Sequence, residues 1–217
     1  DMSVAQRATS VTGKTSDGYY TCDRWRALIS SQGTWSISQA SDAPTGQGFT
    51  KSNKYDCTTA DATPSGTDRV VHSMRFEGNC LQGIKKGTSN AEKTTVSFWV
   101  KSNITGTYTL EIYDVDNDRQ ISKTYTIDSA NTWEKKVVVF DADTTGTFDN
   151  DSSSSANILW WLGAGPDRSS GTFSTTWSSA VTANRVSPNQ VNLASSTSNE
   201  WYITGVQWEV GEFDSTT

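Results

Sequence analysis

The chain has 217 residues, a net charge of −6 and a sequence pI near 4.8, which excludes the basic face a nucleic-acid partner needs and the cationic patch that holds an anionic membrane surface. Hydrophobic residues make up 34% and charged residues 19%, with Ser and Thr filling much of the remainder, while an aromatic content of 11% that includes nine Trp excludes a disordered chain. No apolar run approaches the ~18 residues of a membrane span.

Taken in chain order, the first strands are predicted at Met2–Arg7, Arg24–Ile29, Thr34–Ala40, Lys54–Thr58 and Arg69–Glu77. A short helical stretch, Asn79–Lys86, closed by Gly87, is the single helix expected. Period-two alternation is then plain. Val96, Phe98 and Val100 share one face of Thr95–Lys101, and Tyr108, Leu110 and Ile112 share one face of Thr107–Tyr113. Ser122–Ile127 and Trp133–Phe140 follow, then a polar loop over 141–157, a strand at Ile158–Leu162, a long polar loop over 163–198 and a last strand at Glu200–Val210. About eleven half-buried strands separated by regular turn signals describe an all-β sandwich or barrel of antiparallel sheets. The length fits one domain, 1–217, and the two ends are expected to be cuts in a longer polypeptide whose terminal strands pair with each other.

The groups that could carry chemistry are few. Cys22, Cys57 and Cys80 are odd in number and lack CxxC spacing, so they are expected to be small buried or half-buried side chains, with one bridge plus a free thiol as the alternative. His72 alternates with Val70, Met74 and Phe76 and is expected to be a core or half-core residue. No GxSxG motif is present, and the strand glutamates Glu77, Glu111 and Glu209 have no pairing that sequence alone can establish. Asp114-Val115-Asp116-Asn117-Asp118 opens like a calcium loop, but the sixth position is Arg119 and the twelfth is Tyr125, so a hairpin turn is expected. Asp141, Asp143, Asp149 and Asp151 are expected to sit on a solvated loop. The reading is therefore a non-catalytic chain with no cofactor.

The aromatics carry more information. Alternation sets Trp99 opposite Phe98, Tyr113 on the side of Thr109 and Glu111, Trp160 opposite Trp161, and Trp201 and Ile203 opposite Tyr202 and Trp208. Sugar rings stack their C–H faces on Trp and Tyr while polar side chains bind the hydroxyl rim. The length of the 163–198 loop makes it the expected binding surface. Trp177 is the first choice, with Trp161, Trp99 and Tyr113 on the adjoining sheet face and Arg185 among the rim groups. The alternative is that Trp177 folds back as a plug over the end of the sandwich.

Five short blocks occur in order: Ser3-Val4-Ala5-Gln6-Arg7, Asp23-Arg24-Trp25, Arg75-Phe76-Glu77-Gly78, Ser97-Phe98-Trp99-Val100-Lys101-Ser102, and the run from Ile203 to Gly211. Together they resemble the jelly-roll module of bacteriophage tail fibres and virion appendage proteins of marine or environmental phages. A weaker similarity runs to the jelly-roll carbohydrate-binding modules of polysaccharide-degrading enzymes. The resemblance implies a jelly-roll sandwich that acts as a non-enzymatic adhesion module. It would recognise a host-surface glycan at the virion surface, alongside other fibre subunits in a homotrimeric parent assembled in the host cytoplasm. Its alternatives are a carbohydrate-binding module of a depolymerase and a structural virion domain with no ligand. The carbohydrate-binding modules often carry an Asp after the Ile of the closing strand as part of a structural calcium site; Thr204-Gly205 stands there instead, so a calcium ion is not supported.

Overall fold

In the computed structural model, which describes residues 2–214, the strands in chain order are β1 (Ser10–Lys14), β2 (Trp25–Ser30), β3 (Thr34–Ala40), β4 (Ser52–Thr59), β5 (Arg69–Glu77) and β6 (Thr94–Ser102). They continue as β7 (Gly106–Asp114), β8 (Arg119–Ile127), β9 (Glu134–Phe140), β10 (Ser154–Ala164), β11 (Ser178–Ser179) and β12 (Glu200–Val210). Two six-stranded sheets form, one in the order β1-β3-β4-β12-β6-β9 and the other β11-β8-β7-β10-β5-β2, and every pairing is antiparallel. This is a jelly-roll sandwich: the alternation predicts a sandwich or barrel, and the jelly roll is what the resemblance implies.

Alternation decides which side chains fill the space between the sheets. Val96, Phe98 and Val100 of β6 face Tyr108, Leu110 and Ile112 of β7, and Ile158, Trp160 and Leu162 of β10, all at 1% exposure or less. His72 lies at the centre, stacked on Trp25 at 4.5 Å between ring centroids, with its Nδ1 3.2 Å from the Tyr55 hydroxyl. Burial among aromatics pushes its pKa down to about 3. It is a neutral core residue.

Four local expectations need correction. Met2–Arg7 is not a strand. That segment is held by scattered bonds, with the Met2 carbonyl accepting from Gln39 Nε2 at 2.7 Å and the Val4 carbonyl from the Asp23 N–H at 2.9 Å, and the first strand begins at Ser10. The ends do not pair with each other, because β1 lies on β3 while β12 lies between β4 and β6. The helical stretch is two 3-10 turns, Gly78–Cys80 and Gln82–Ile84. Gly78 and Gly83 weaken an α-helix there, and a Cβ at Gly78 would come within 1.8 Å of the Asp149 carbonyl. Finally, β12 carries a one-residue bulge: Thr204 opposes Trp99, yet Gln207 opposes Ser97, with Gly205 at φ +60°. The bulge reverses the alternation, so Trp208 turns inward and packs edge-on against Phe76 at 4.8 Å, not outward with Tyr202. All three cysteines are free, Cys22 and Cys57 buried and Cys80 exposed.

Candidate functional site

The outer face of the β8-β7-β10-β5 sheet is closed. Residues 163–198 fold across it and bond to it repeatedly. Gln190 Oε1 accepts the Thr109 N–H at 2.7 Å, Gln190 Nε2 donates to the Trp161 carbonyl at 2.9 Å, and Ser122 Oγ donates to the Arg185 carbonyl at 2.8 Å. At the centre of this seam Glu111 is fully buried. Arg185 donates to both of its oxygens, Nε to Oε1 at 2.8 Å and Nη2 to Oε2 at 3.2 Å, and the Trp161 indole N–H donates to Oε2 at 2.8 Å. The Arg185 guanidinium also lies over Tyr113 at 4.9 Å and Trp161 at 5.5 Å. Burial alone would lower the Arg185 pKa, but the Glu111 carboxylate outweighs it and holds it above the ordinary value.

Trp161, Tyr113 and Arg185 therefore do come together, but as a desolvated charge-and-aromatic seam between loop and sheet. Trp161 is 1% exposed and offers no ring face. Trp177 lies apart from them at the end of the sandwich. It is half-buried, donates its indole N–H to the Asp141 carbonyl at 2.7 Å, and lies 5.2 Å from the Lys86 ammonium. This is the plug arrangement and not an exposed platform. Trp99 is on the other sheet altogether.

Residues 114–118 form the expected hairpin turn between β7 and β8, and Asp149 and Asp151 are exposed as expected, but Asp143 is buried. Asp114 and Asp143 converge on Lys86, whose Nζ lies 2.6 Å from Asp114 Oδ2 and 3.1 Å from Asp143 Oδ2. The same ammonium donates to the Thr145 and Gly146 carbonyls, each at 2.8 Å. Arg119 grips Asp143 with Nε at 2.7 Å and Nη2 at 3.0 Å. Burial would raise the Asp143 pKa, but these donors hold it below the ordinary carboxylate value. Sequence reasoning missed Lys86, because its partners lie 28 to 60 positions away along the chain. The strand glutamates do not meet. Glu209 is on the opposite sheet from Glu77 and Glu111, and on β10 Glu77 opposes Ser154 whereas Glu111 opposes Leu159, five residues or roughly 17 Å along the strand.

The outer face of the β4-β12-β6-β9 sheet is covered only in part: the β3–β4 connection reaches over it, with Thr204 Oγ1 donating to the Lys51 carbonyl at 2.7 Å, and leaves Tyr202 buried. Residues that alternation turns away from the core collect there: Lys54 on β4, Tyr202 on β12, and Trp99 and Lys101 on β6, with Trp133 just ahead of β9. Trp99 and Trp133 are both half-buried. Trp133 meets Tyr202 edge-on at 6.1 Å. Lys101 lies 4.3 Å from the Tyr202 ring and 5.6 Å from that of Trp133, and Lys54 approaches Tyr202 at 5.4 Å.

Each ammonium has a carboxylate: Lys54 pairs with Glu200 at 2.7 Å and Lys101 with Asp42, which also accepts the Trp133 indole N–H at 2.9 Å. Partial burial would raise the Asp42 pKa, but Lys101 and Trp133 hold it below its usual value. Phe49, from the β3–β4 connection, lies over Gly205, where a Cβ would strike its ring at 2.6 Å. Toward the opposite end of the same face a groove of about 300 Å³ is lined by Ser97, Lys135, Val137, Gln207 and Glu209, among others. The face thus offers flat indole surface beside fixed donors and acceptors, which suits a ligand with apolar ring faces and a hydroxylated rim. Alternation marks Trp99 and Tyr202 as outward in the sequence. Nothing local marks Trp133, Lys101 and Asp42 as their neighbours.

No protein-family model matches the chain, and no curated protein matches it. Solved structures with similar architecture include the enzymatically active domain of tailspike protein 4 from bacteriophage CBA120, at 13% identity and a TM-score of 0.47, covering 87% of this chain and 19% of that one. A putative sugar binding protein from Bacteroides thetaiotaomicron is 12% identical with a TM-score of 0.47, covering 95% of this chain and 97% of that one. The family 11 carbohydrate-binding module of Lic26A-Cel5E from Clostridium thermocellum is 11% identical with a TM-score of 0.43, covering 94% and 97%.

Proposed function

We propose that this domain is a non-catalytic module that binds carbohydrate on the outer face of the β4-β12-β6-β9 sheet, with Trp99 and Trp133 as stacking surfaces. The observation that carries the reading is the asymmetry of the two outer faces. The 163–198 loop seals one, while the other keeps two partly exposed indoles beside an ordered set of Lys, Asp and Glu side chains. An indole held half out of the core exposes apolar surface that a stacking ring would cover. The finer reading, that the glycan belongs to a host surface and the domain to a trimeric phage tail fibre or virion appendage, rests on the sequence resemblance.

Retention of the purified domain on a panel of immobilised polysaccharides tests the proposal. Trp99→Ala and Trp133→Ala should each weaken binding at least tenfold with little change in melting temperature. Stacking on one aromatic contributes about 0.5–1.5 kcal/mol beyond the area it buries, so the combined loss supports that figure. A domain that retains no glycan, or whose retention neither substitution alters, overturns the proposal.

A further inference from the structure

The Asp42 carboxylate is held in an unusual way for a group on a surface connection. One of its oxygens, Oδ1, accepts the Trp133 indole N–H at 2.9 Å, and the other, Oδ2, meets the Lys101 ammonium. An indole N–H and an ammonium set side by side, each taking one oxygen of the same planar carboxylate, constitute a carboxylate receptor.

The receptor half is rigid. The Lys101 side chain is 11% exposed and its ammonium is positioned by the Tyr202 and Trp133 rings as well as by Asp42, so its place does not depend on the acid. The acid half is loose. The Asp42 side chain is 44% exposed, and its backbone is held separately by Ser52 Oγ donating to the Asp42 carbonyl at 2.6 Å. The carboxylate can therefore rotate out to water about its own side-chain bonds while the backbone stays in place.

From this we infer that the face recognises a carboxylated sugar, a uronic acid unit within a glycan, whose carboxylate displaces Asp42 from Lys101 and Trp133. Asp42 then acts as an internal stand-in that keeps the receptor neutral when no ligand is bound. The inference rests on the proposed glycan-binding face and adds its substrate class. The chemistry is reversible ion and hydrogen-bond exchange, with no covalent step. Trp133 serves twice, its N–H binding one carboxylate oxygen and its ring lying beside the sugar. The chain carries a net charge of −6, so long-range attraction does not bring an acidic glycan in. Selection depends on this local pair, and binding weakens as salt screens the Lys101 charge.

The test compares uronate polymers (polygalacturonate, alginate and glucuronan) with the neutral polymers made from them by carboxyl reduction, titrated calorimetrically into the wild type, Asp42→Asn, Lys101→Met and Trp99→Ala. At least one uronate polymer should bind the wild type tenfold or more tightly than its reduced form. Asp42→Asn should raise affinity for that acid polymer severalfold, and Lys101→Met should erase the difference between acid and reduced forms. Trp99→Ala should weaken both. Equal or tighter binding of the reduced polymers, or a preference that survives Lys101→Met, overturns the carboxylate inference and leaves glycan binding standing. Failure to bind any acid polymer while neutral glycans are retained does the same. If no glycan of either kind is retained by the wild type, the binding-face proposal falls and this inference with it.

Discussion

Replacing Lys86 with Met keeps most of the side chain's length and removes its charge. The Lys86 side chain is 1% exposed and its ammonium lies 2.6 Å from Asp114, whose side chain is fully buried, and 3.1 Å from Asp143. Asp143 keeps its two bonds from Arg119, and Asp114 keeps the Asn117 N–H at 3.1 Å and amide at 3.0 Å. What is lost is the one cation paired with Asp114 among the described residues and the donor to the Thr145 and Gly146 carbonyls. Removing one partner of a buried ion pair costs about 3–5 kcal/mol, because the remaining charge is left in a poorly solvating interior. For a chain of this size each kcal/mol moves the midpoint by about 2–4 °C, so Lys86→Met should lower Tm by roughly 6–20 °C. Urea unfolding with linear extrapolation measures the loss directly. The companion variant Lys86→Met with Asp114→Asn removes the orphaned charge and should recover a large part of the stability. A single variant within about 1 kcal/mol of wild type, or a double variant no more stable than the single, refutes the reasoning.

Two further outcomes follow from the same kind of accounting. Trp177→Ala should destabilise by about 3 kcal/mol, at the lower end for aromatic truncation because the ring is half-buried, and should leave glycan retention intact; unchanged melting with lost retention would restore Trp177 as a binding residue. His72 has a folded pKa of about 3 against 6.5 for the free side chain, so the unfolded state takes up the proton first. Stability is therefore unaffected above pH 6.5 and falls by about 1.4 kcal/mol per pH unit between 6.5 and 3, or about 2 kcal/mol between pH 6.5 and 5. Urea titrations of wild type and His72→Phe across that window should differ by this slope, and parallel slopes would show that His72 does not carry the acid sensitivity.

Strand positions were legible wherever the determining information was local. The limits of β3, β5 and β12 coincide with the ranges read from alternation, because the period-two burial of residues such as Ile37, Val70 and Trp201 is written along each strand. The polar sequence at 178–179 and 154–157 hid β11 and the start of β10, since Ser and Asn mark turns by composition and pair here only because a neighbouring strand is present. The site was harder to read. Trp99 was recognised as outward-facing, but which outer face stays open depends on where residues 163–198 land, and Arg185 meeting Glu111 across 74 positions is not a local signal. The bulge at Gly205 is a single-residue event that reverses everything after it, which is why Trp208 reads as outward and packs inward.

The distribution of the nine indoles has an optical consequence. Trp25, Trp35, Trp160, Trp161 and Trp201 are all buried, Trp177 and Trp208 pack at the end of the sandwich, and Trp99 and Trp133 alone stand on the open sheet face. The buried group emits from a dry surrounding that a bound ligand does not reach, so it contributes a constant blue-shifted background. A ligand seated on that face changes the emission of the two face indoles, and comparing spectra of Trp99→Phe and Trp133→Phe assigns the change to one ring or the other. The protein carries its own reporter, and unfolding and ligand contact write on different parts of the same spectrum.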